Sequence, residues 1–276
     1  MAKQITDLSK LCVHTLTTKP WDLKQCVENY NAAGIPGITI WRNVLEGQNL
    51  NECKQILDDH NMDVVSVARG GFFPSVDAAK RQVAIDDNLL AIEQAAAVGA
   101  PVIVLVCGAD GKQSLQKSRD QIREGIVKIL PDAKAAGVKL AIEPLHPMYA
   151  GDRSAINTLA QANDMCEEIN SDFVGVAVDV YHLWWDNNLQ SEIKRCGQNQ
   201  NLFAFHVCDW NVPTTDFLND RGLMGDGCIN VAQIRGWVEE TGFDGYSEVE
   251  IFSDKYWATD QKEYLNKIKE AYLKHT

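Results

Sequence analysis

The sequence predicts an α/β fold, a single-domain (β/α)8 TIM barrel over residues 1–276, and three observations carry that prediction. Eight short apolar, β-branched runs alternate with longer amphipathic stretches from one end of the chain to the other. The 276 residues are close to the ~250 typical of such a barrel. No Pro/Ser/Gly-rich linker divides the chain into two domains.

The strand runs are Leu11–Leu16, Gly37–Trp41, Asp63–Ala68, Pro101–Cys107, Lys139–Leu145, Val174–Val180, Leu202–Cys208 and Tyr246–Phe252. Helical patterns lie between them, among them Val76–Val98, Leu115–Ala136 and Ala155–Ile169. Gly34, Gly99, Gly137 and Gly242 stand where a helix would be stopped before the next strand. An open doubly wound sheet is the structural rival, but the first strand and helix carry no G-x-G-x-x-G. The early strands end instead in His14, Trp41 and Arg69.

Composition narrows the partners. With 26 Lys+Arg against 38 Asp+Glu the net charge is -12, so a nucleic-acid backbone or an anionic membrane surface would be repelled over most of the exterior. A small anionic ligand is not excluded, because one arginine or metal ion sets the field inside a cleft. The eight cysteines show no C-x-x-C pair and no framework spacing, as in a reducing cytosol. The N-terminus has no signal-peptide h-region, and no stretch reaches the roughly 18 apolar residues of a membrane span. The expectation is a cytoplasmic protein with a small-molecule partner, no nucleic acid and no membrane.

Active sites of such barrels lie at the C-terminal ends of the strands. Side chains alternate between the two faces of a strand, and the face turned to the surrounding helices is the bulkier. Leu140 and Ile142, Val176 and Val178, and Phe203 and Phe205 therefore face outward. Glu143, Asp179 and His206 then point inward, each two residues after an alanine. On the last strand Val249 and Ile251 take the outward face, so Glu248 and Glu250 both point in, with Glu250 nearer the mouth. Three carboxylates side by side repel one another and resist desolvation, and a divalent cation resolves that cost. Two Glu, one Asp and one His suit Mn²⁺ first, then Mg²⁺ or Co²⁺, and also admit Zn²⁺. The remaining coordination positions would take a carbonyl and an adjacent hydroxyl of a sugar or hydroxy-ketone.

These motifs bring a family into view. AIEPLHP (Ala141–Pro147), VDVYHLWWD (Val178–Asp186), FHVCD (Phe205–Asp209), RGLMGDGCINV (Arg221–Val231) and GYSEVEIFSD (Gly245–Asp254) resemble the xylose-isomerase-like sugar phosphate isomerase/epimerase superfamily. That group includes ketose 3-epimerases, hydroxypyruvate isomerases and inosose dehydratases, with AP endonucleases as distant relatives. The resemblance runs over nearly the whole chain. It implies a metal on Glu143, Asp179, His206 and Glu250, the set chosen by strand parity. It also implies acid/base roles for Glu143 and Glu250 on opposite faces of the substrate, and substrate contacts from His182 and Arg221. His146 departs from the usual continuation of the fifth-strand motif and is a further candidate for the substrate or for proton transfer. His14, Trp41 and Arg69 could line the pocket, the tryptophan as a plate for a sugar ring and the arginine for a carboxylate or phosphate. Trp184 and Trp185 lie beside the site, and packing accounts for at least one of them.

The glycine-rich run Arg221–Gly227 is either a phosphate cradle or a tight turn into the next helix. The expected activity is a metal-dependent isomerase or epimerase of a sugar, keto-sugar or cyclitol that abstracts a proton next to a carbonyl. A lyase on the same site, of the inosose or dehydroshikimate dehydratase kind, is the alternative. A DNA-repair endonuclease would need more His and acidic ligands on the early strands and a basic face. A metal-free carbohydrate-binding barrel would not need all four ligands. Members of such superfamilies often assemble as dimers or tetramers.

Overall fold

The computed structural model describes residues 4–276. Eight parallel strands close on themselves, each pairing with its neighbours in sequence, and the first pairs with the last through Cys12 opposite Glu248. The barrel strands are Leu11–His14, Gly37–Trp41, Asp63–Gly71, Val102–Val106, Lys139–Glu143, Val174–Asp179, Leu202–Val207 and Ser247–Val249. All eight predicted runs are strands. Their ends differ: the second has its expected bounds, the third runs on to Gly71, and the other six are shorter than their apolar runs. Among the described residues, no helix is long and apolar enough to cross a membrane.

The helix Leu115–Ala136 has the predicted bounds, because Ser114 accepts a hydrogen bond from the Lys117 backbone at its start and Gly137 turns left-handed at its end. Ala78–Val98 begins after Asp77, whose carboxylate accepts from the Ala79 N–H. The third helix starts at Leu159 rather than Ala155, since Thr158 supplies the cap and Ser154–Asn157 form a hydrogen-bonded turn before it. All four punctuating glycines adopt positive φ.

The two faces of the strands build two packing layers. Leu140, Ile142, Val176, Val178 and Phe205 join the large core between barrel and helices. Val102, Val104, Ala141, Ala177 and Ala204 form a small cluster inside the barrel, beneath the inward polar residues. Small alanines at that level leave room for the longer acidic side chains one step above. Phe203 corrects the parity argument. Val176 pairs with Leu202 and Ala177 with Ala204, leaving Phe203 unmatched. At this irregularity its ring packs on the interior cluster, with Lys139 above it at 4.5 Å, instead of facing the helices.

Candidate metal centre and mouth of the barrel

Glu143 ends the fifth strand, Asp179 the sixth, His206 lies one residue before the end of the seventh, and Glu250 follows the eighth. Their ligand atoms all lie within 4.8 Å of one another, and all four side chains are buried. Glu143 Oε1 and His206 Nδ1 are 2.9 Å apart, yet among the described residues neither atom finds a partner in hydrogen-bond geometry. Two buried polar atoms this close that miss hydrogen-bond geometry, among three carboxylates and an imidazole, suit a divalent cation. The donor set therefore fits the expected metal. Burial, with Glu250 and Glu143 nearby, pushes Asp179 up to about 7 against the pull of Arg221. Burial alone would lower His206, but Glu143, Glu248 and Glu250 around it raise it to about 10. The ring thus carries a proton where a cation would otherwise sit.

Arg221 lies against two of the candidate ligand carboxylates. Its Nη1 is 2.8 Å from Glu250 Oε2 and 3.2 Å from Asp179 Oδ2, and its Nη2 approaches His182 Nε2 at 3.3 Å. Burial would raise Glu250, yet the guanidinium and His14 hold it well below the usual carboxylate range. Burial and the same guanidinium push His182 well below an ordinary histidine, so it is neutral.

His14 is drawn into the same cluster. It is 0% exposed and lies below the mouth, its Nδ1 3.2 Å from Glu250 Oε1 and its Nε2 3.4 Å from Glu248 Oε2. Its ring meets that of His206 edge-on, with centroids 4.7 Å apart. Glu248 is the deeper of the two inward glutamates and accepts hydrogen bonds from Thr39 and Ser66 at 2.6 and 2.9 Å. Together His14 and Glu248 form a polar layer under the ligands. Trp41 donates its indole N–H to His14 Nδ1 at 3.1 Å and packs on Phe252.

Around the mouth, His146 caps a short turn, its Nδ1 accepting from the Met148 N–H, and contacts Trp185 and Trp210. Trp184 packs on the core and on Trp210, and Trp185 donates to the His182 carbonyl at 2.8 Å. Arg69 lies at the rim, its guanidinium 4.2 Å from the Phe72 ring. Sequence reasoning missed three residues here. Trp210 stacks on Tyr181 at 4.8 Å and links His146, Trp184 and Phe217. Tyr149 and Tyr181 both donate to the Phe217 carbonyl, at 2.6 and 2.9 Å, tying down the long loop after the seventh strand. Arg153 sits over Tyr149 at 5.5 Å. Only the tryptophan directly following FHVCD carried a sequence signal. Tyr149 and Arg153 come from a loop whose path the pattern does not encode.

The glycine-rich run is a turn around the protein's own anion. The buried Asp209 carboxylate accepts the N–H groups of Trp210 and Ile229 on Oδ1 and of Gly225 and Gly227 on Oδ2, at 2.8 to 2.9 Å. A Cβ at Gly227 would stand 2.0 Å from the Trp210 carbonyl oxygen, which is why the turn needs glycine there. Asp209–Trp210 and Arg221–Gly222 pair as a short antiparallel ribbon, and this carries Arg221 to Asp179 and Glu250.

A family model described as xylose isomerase-like TIM barrel matches residues 27–271. A protein named inosose isomerase from Halalkalibacterium halodurans is 25% identical over 275 residues, covering 95% of this chain and 94% of its own. A solved protein from Sinorhizobium meliloti 1021 superposes with a TM-score of 0.94 at 43% identity, covering 98% of this chain and 99% of its own. The IOLI protein, solved with a bound zinc atom, has a TM-score of 0.83 at 22% identity over 95% of this chain and 96% of its own, a likeness of fold.

Proposed function

This chain belongs to the xylose isomerase-like TIM-barrel family, and from that premise we propose that it is a divalent-metal-dependent isomerase or epimerase of a sugar derivative, acting by proton transfer next to a carbonyl. The observation that carries the reading is the buried convergence of Glu143, Asp179, His206 and Glu250 at the strand ends. The inosose isomerase relative matches over nearly the full length of both chains, which favours a keto-cyclitol or keto-sugar as substrate.

The same four residues would hold the metal, Mn²⁺ first by donor chemistry, and a neighbour of the same fold, the IOLI protein, was solved with a zinc atom. When bound, the ion polarises the substrate carbonyl and makes the adjacent C–H more acidic. The two glutamates come from the fifth and eighth strands, separated around the barrel by the sixth and seventh, so their carboxylates can address a substrate from two sides. Glu250, kept ionised by Arg221 and His14, takes the proton at one face. Glu143 returns one at the other. His182, neutral beside Arg221, accepts the His146 backbone N–H on Nδ1 and faces Arg221 through Nε2, so it meets a substrate oxygen where the substrate takes over the Arg221 contact. Trp185 and Trp210 around His146 form an aromatic wall that limits water at the mouth.

The test is solvent exchange. The metal-loaded protein is incubated with inososes, keto-sugars and ketoses in deuterated buffer, and deuterium incorporation and product identity are followed. Chelator-sensitive deuterium next to the carbonyl, with an isomeric product, is the expected result. Exchange with a dehydrated product would move the protein to the lyases. No exchange on any of these compounds would overturn the carbon-acid mechanism.

A further inference from the structure

Of the nine arginines of this acidic chain, five pair with a carboxylate, Arg123 and Arg235 among them, and Arg81 and Arg119 donate instead to the backbone carbonyls of Ser75 and Ala155. Arg42 forks onto Asp87 with two contacts of 2.8 Å, Arg195 gathers Asp164, Glu167 and Glu192, and Arg221 holds Asp179 and Glu250. Arg69 and Arg153 do neither. Both are half-buried, and each guanidinium lies against an aromatic ring, Phe72 at 4.2 Å and Tyr149 at 5.5 Å. Among the described residues, neither side chain forms an ion pair. With 38 acidic residues available, two neighbouring arginines left without acids mark a place kept for an anion from outside.

Their position agrees. Gly108 donates its N–H to the Arg153 carbonyl at 2.9 Å and pairs with Ser154, and a Cβ on it would stand 2.7 Å from the Phe72 Cα, so the segments that carry the two arginines meet there. Tyr149, beneath Arg153, also packs edge-on against His182 at 5.8 Å, which ties this arginine to the same mouth. Phe72, which carries Arg69, has φ +53 and is 37% exposed. A bulky residue held left-handed at a rim is the kind of strain that persists where a site needs the side chain there.

We propose that Arg69 and Arg153 form an anion subsite beside the ligand cluster, and that the substrate is an acidic sugar derivative whose carboxylate or phosphate they hold. The inference rests on the reading of this barrel mouth as the site of a sugar-derivative isomerase and narrows its substrate class. Guanidinium forks suit both anions, offering paired N–H donors to two oxygens. They also supply local positive field in a protein whose net charge would otherwise repel such a substrate.

Calorimetric titration of the Mn²⁺-loaded protein with D-glucitol, D-gluconate and D-glucitol 6-phosphate tests this. At least one charged probe should bind about tenfold or more tightly than D-glucitol, and which one identifies the anion. Arg69→Gln and Arg153→Gln should each remove most of that advantage and leave D-glucitol binding unchanged, which also reports an intact fold. Arg69→Lys should keep part of it. Equal binding of charged and neutral probes, no binding of either charged probe, or a preference that survives in the double Gln variant would overturn the subsite. In the last case the anion sits on the metal.

Failure here is separable from failure of the activity. Chelator-sensitive exchange on neutral inososes with no preference for charge would remove the subsite and keep the isomerase. Arginine-dependent anion binding with no exchange on any carbonyl compound would do the reverse.

Discussion

Removing the Asp209 carboxylate with Asp209→Ala should destabilise the protein without touching a proposed ligand. The side chain is 0% exposed and accepts four backbone N–H groups. Hydrogen bonds to a charged group are worth roughly 1.5–3 kcal/mol each, so the gross loss is of order 6–12 kcal/mol. Two effects reduce it: the carboxylate no longer has to be desolvated, and water can enter the space it leaves. The net cost should be about 3–5 kcal/mol, the range found when one partner of a buried charged pair is deleted. With an unfolding entropy of about 2.1 cal/mol/K per residue over 276 residues, that is a fall in Tm of roughly 5–9 °C. Differential scanning calorimetry reads it directly. The four emptied N–H groups also make a second prediction in the same experiment: formate should raise the Tm of the variant and leave that of the wild type alone. A variant melting within about 1 °C of wild type, with no formate effect, would refute the account of this loop as a turn built on an internal anion.

Glu143→Gln and Glu250→Gln should each lower turnover by a factor of about 10³ or more, with near-UV circular dichroism unchanged, because each removes a ligand charge and a proton carrier but little apolar burial. Wild-type activity in either would sink the assignment. Metal affinity should rise with pH. A bound ion needs His206 without its proton and Asp179 ionised, whereas without metal the first titrates at about 10 and the second at about 7. Binding therefore expels one proton between those values and two below the lower one, giving a slope of about one and then about two log units per pH unit. Affinity that stays flat from acid to alkaline buffer would contradict the geometry of the cluster. Gly227→Ala should cost about 1–3 kcal/mol by overpacking, since its Cβ meets the Trp210 carbonyl, while Gly151→Ala has open space and should be neutral. Chemical denaturation of the pair distinguishes them, and equal stability would show that the turn can open.

The one-dimensional pattern sufficed for the barrel, because strand periodicity and helix caps are local and repeat eight times. It also sufficed to bring the four candidate side chains to one place: alternation along a strand ties Glu143 to Ala141 and Asp179 to Ala177, and in a closed sheet one face has only one place to point. Residues whose role depends on contacts between distant segments were not legible. Phe203 turned inward because of a pairing irregularity between two strands. The run from Arg221 to Gly227 reads as an anion cradle until Asp209, from the seventh strand's end, is seen inside it. His14 and Arg221 had the right sequence positions for a pocket lining, yet both are drawn onto the glutamates and Asp179, since buried acids and bases at this spacing satisfy one another before any substrate arrives. Arg153 and Tyr149 reach the mouth only because an irregular loop folds back over it, and no period in the sequence records that path.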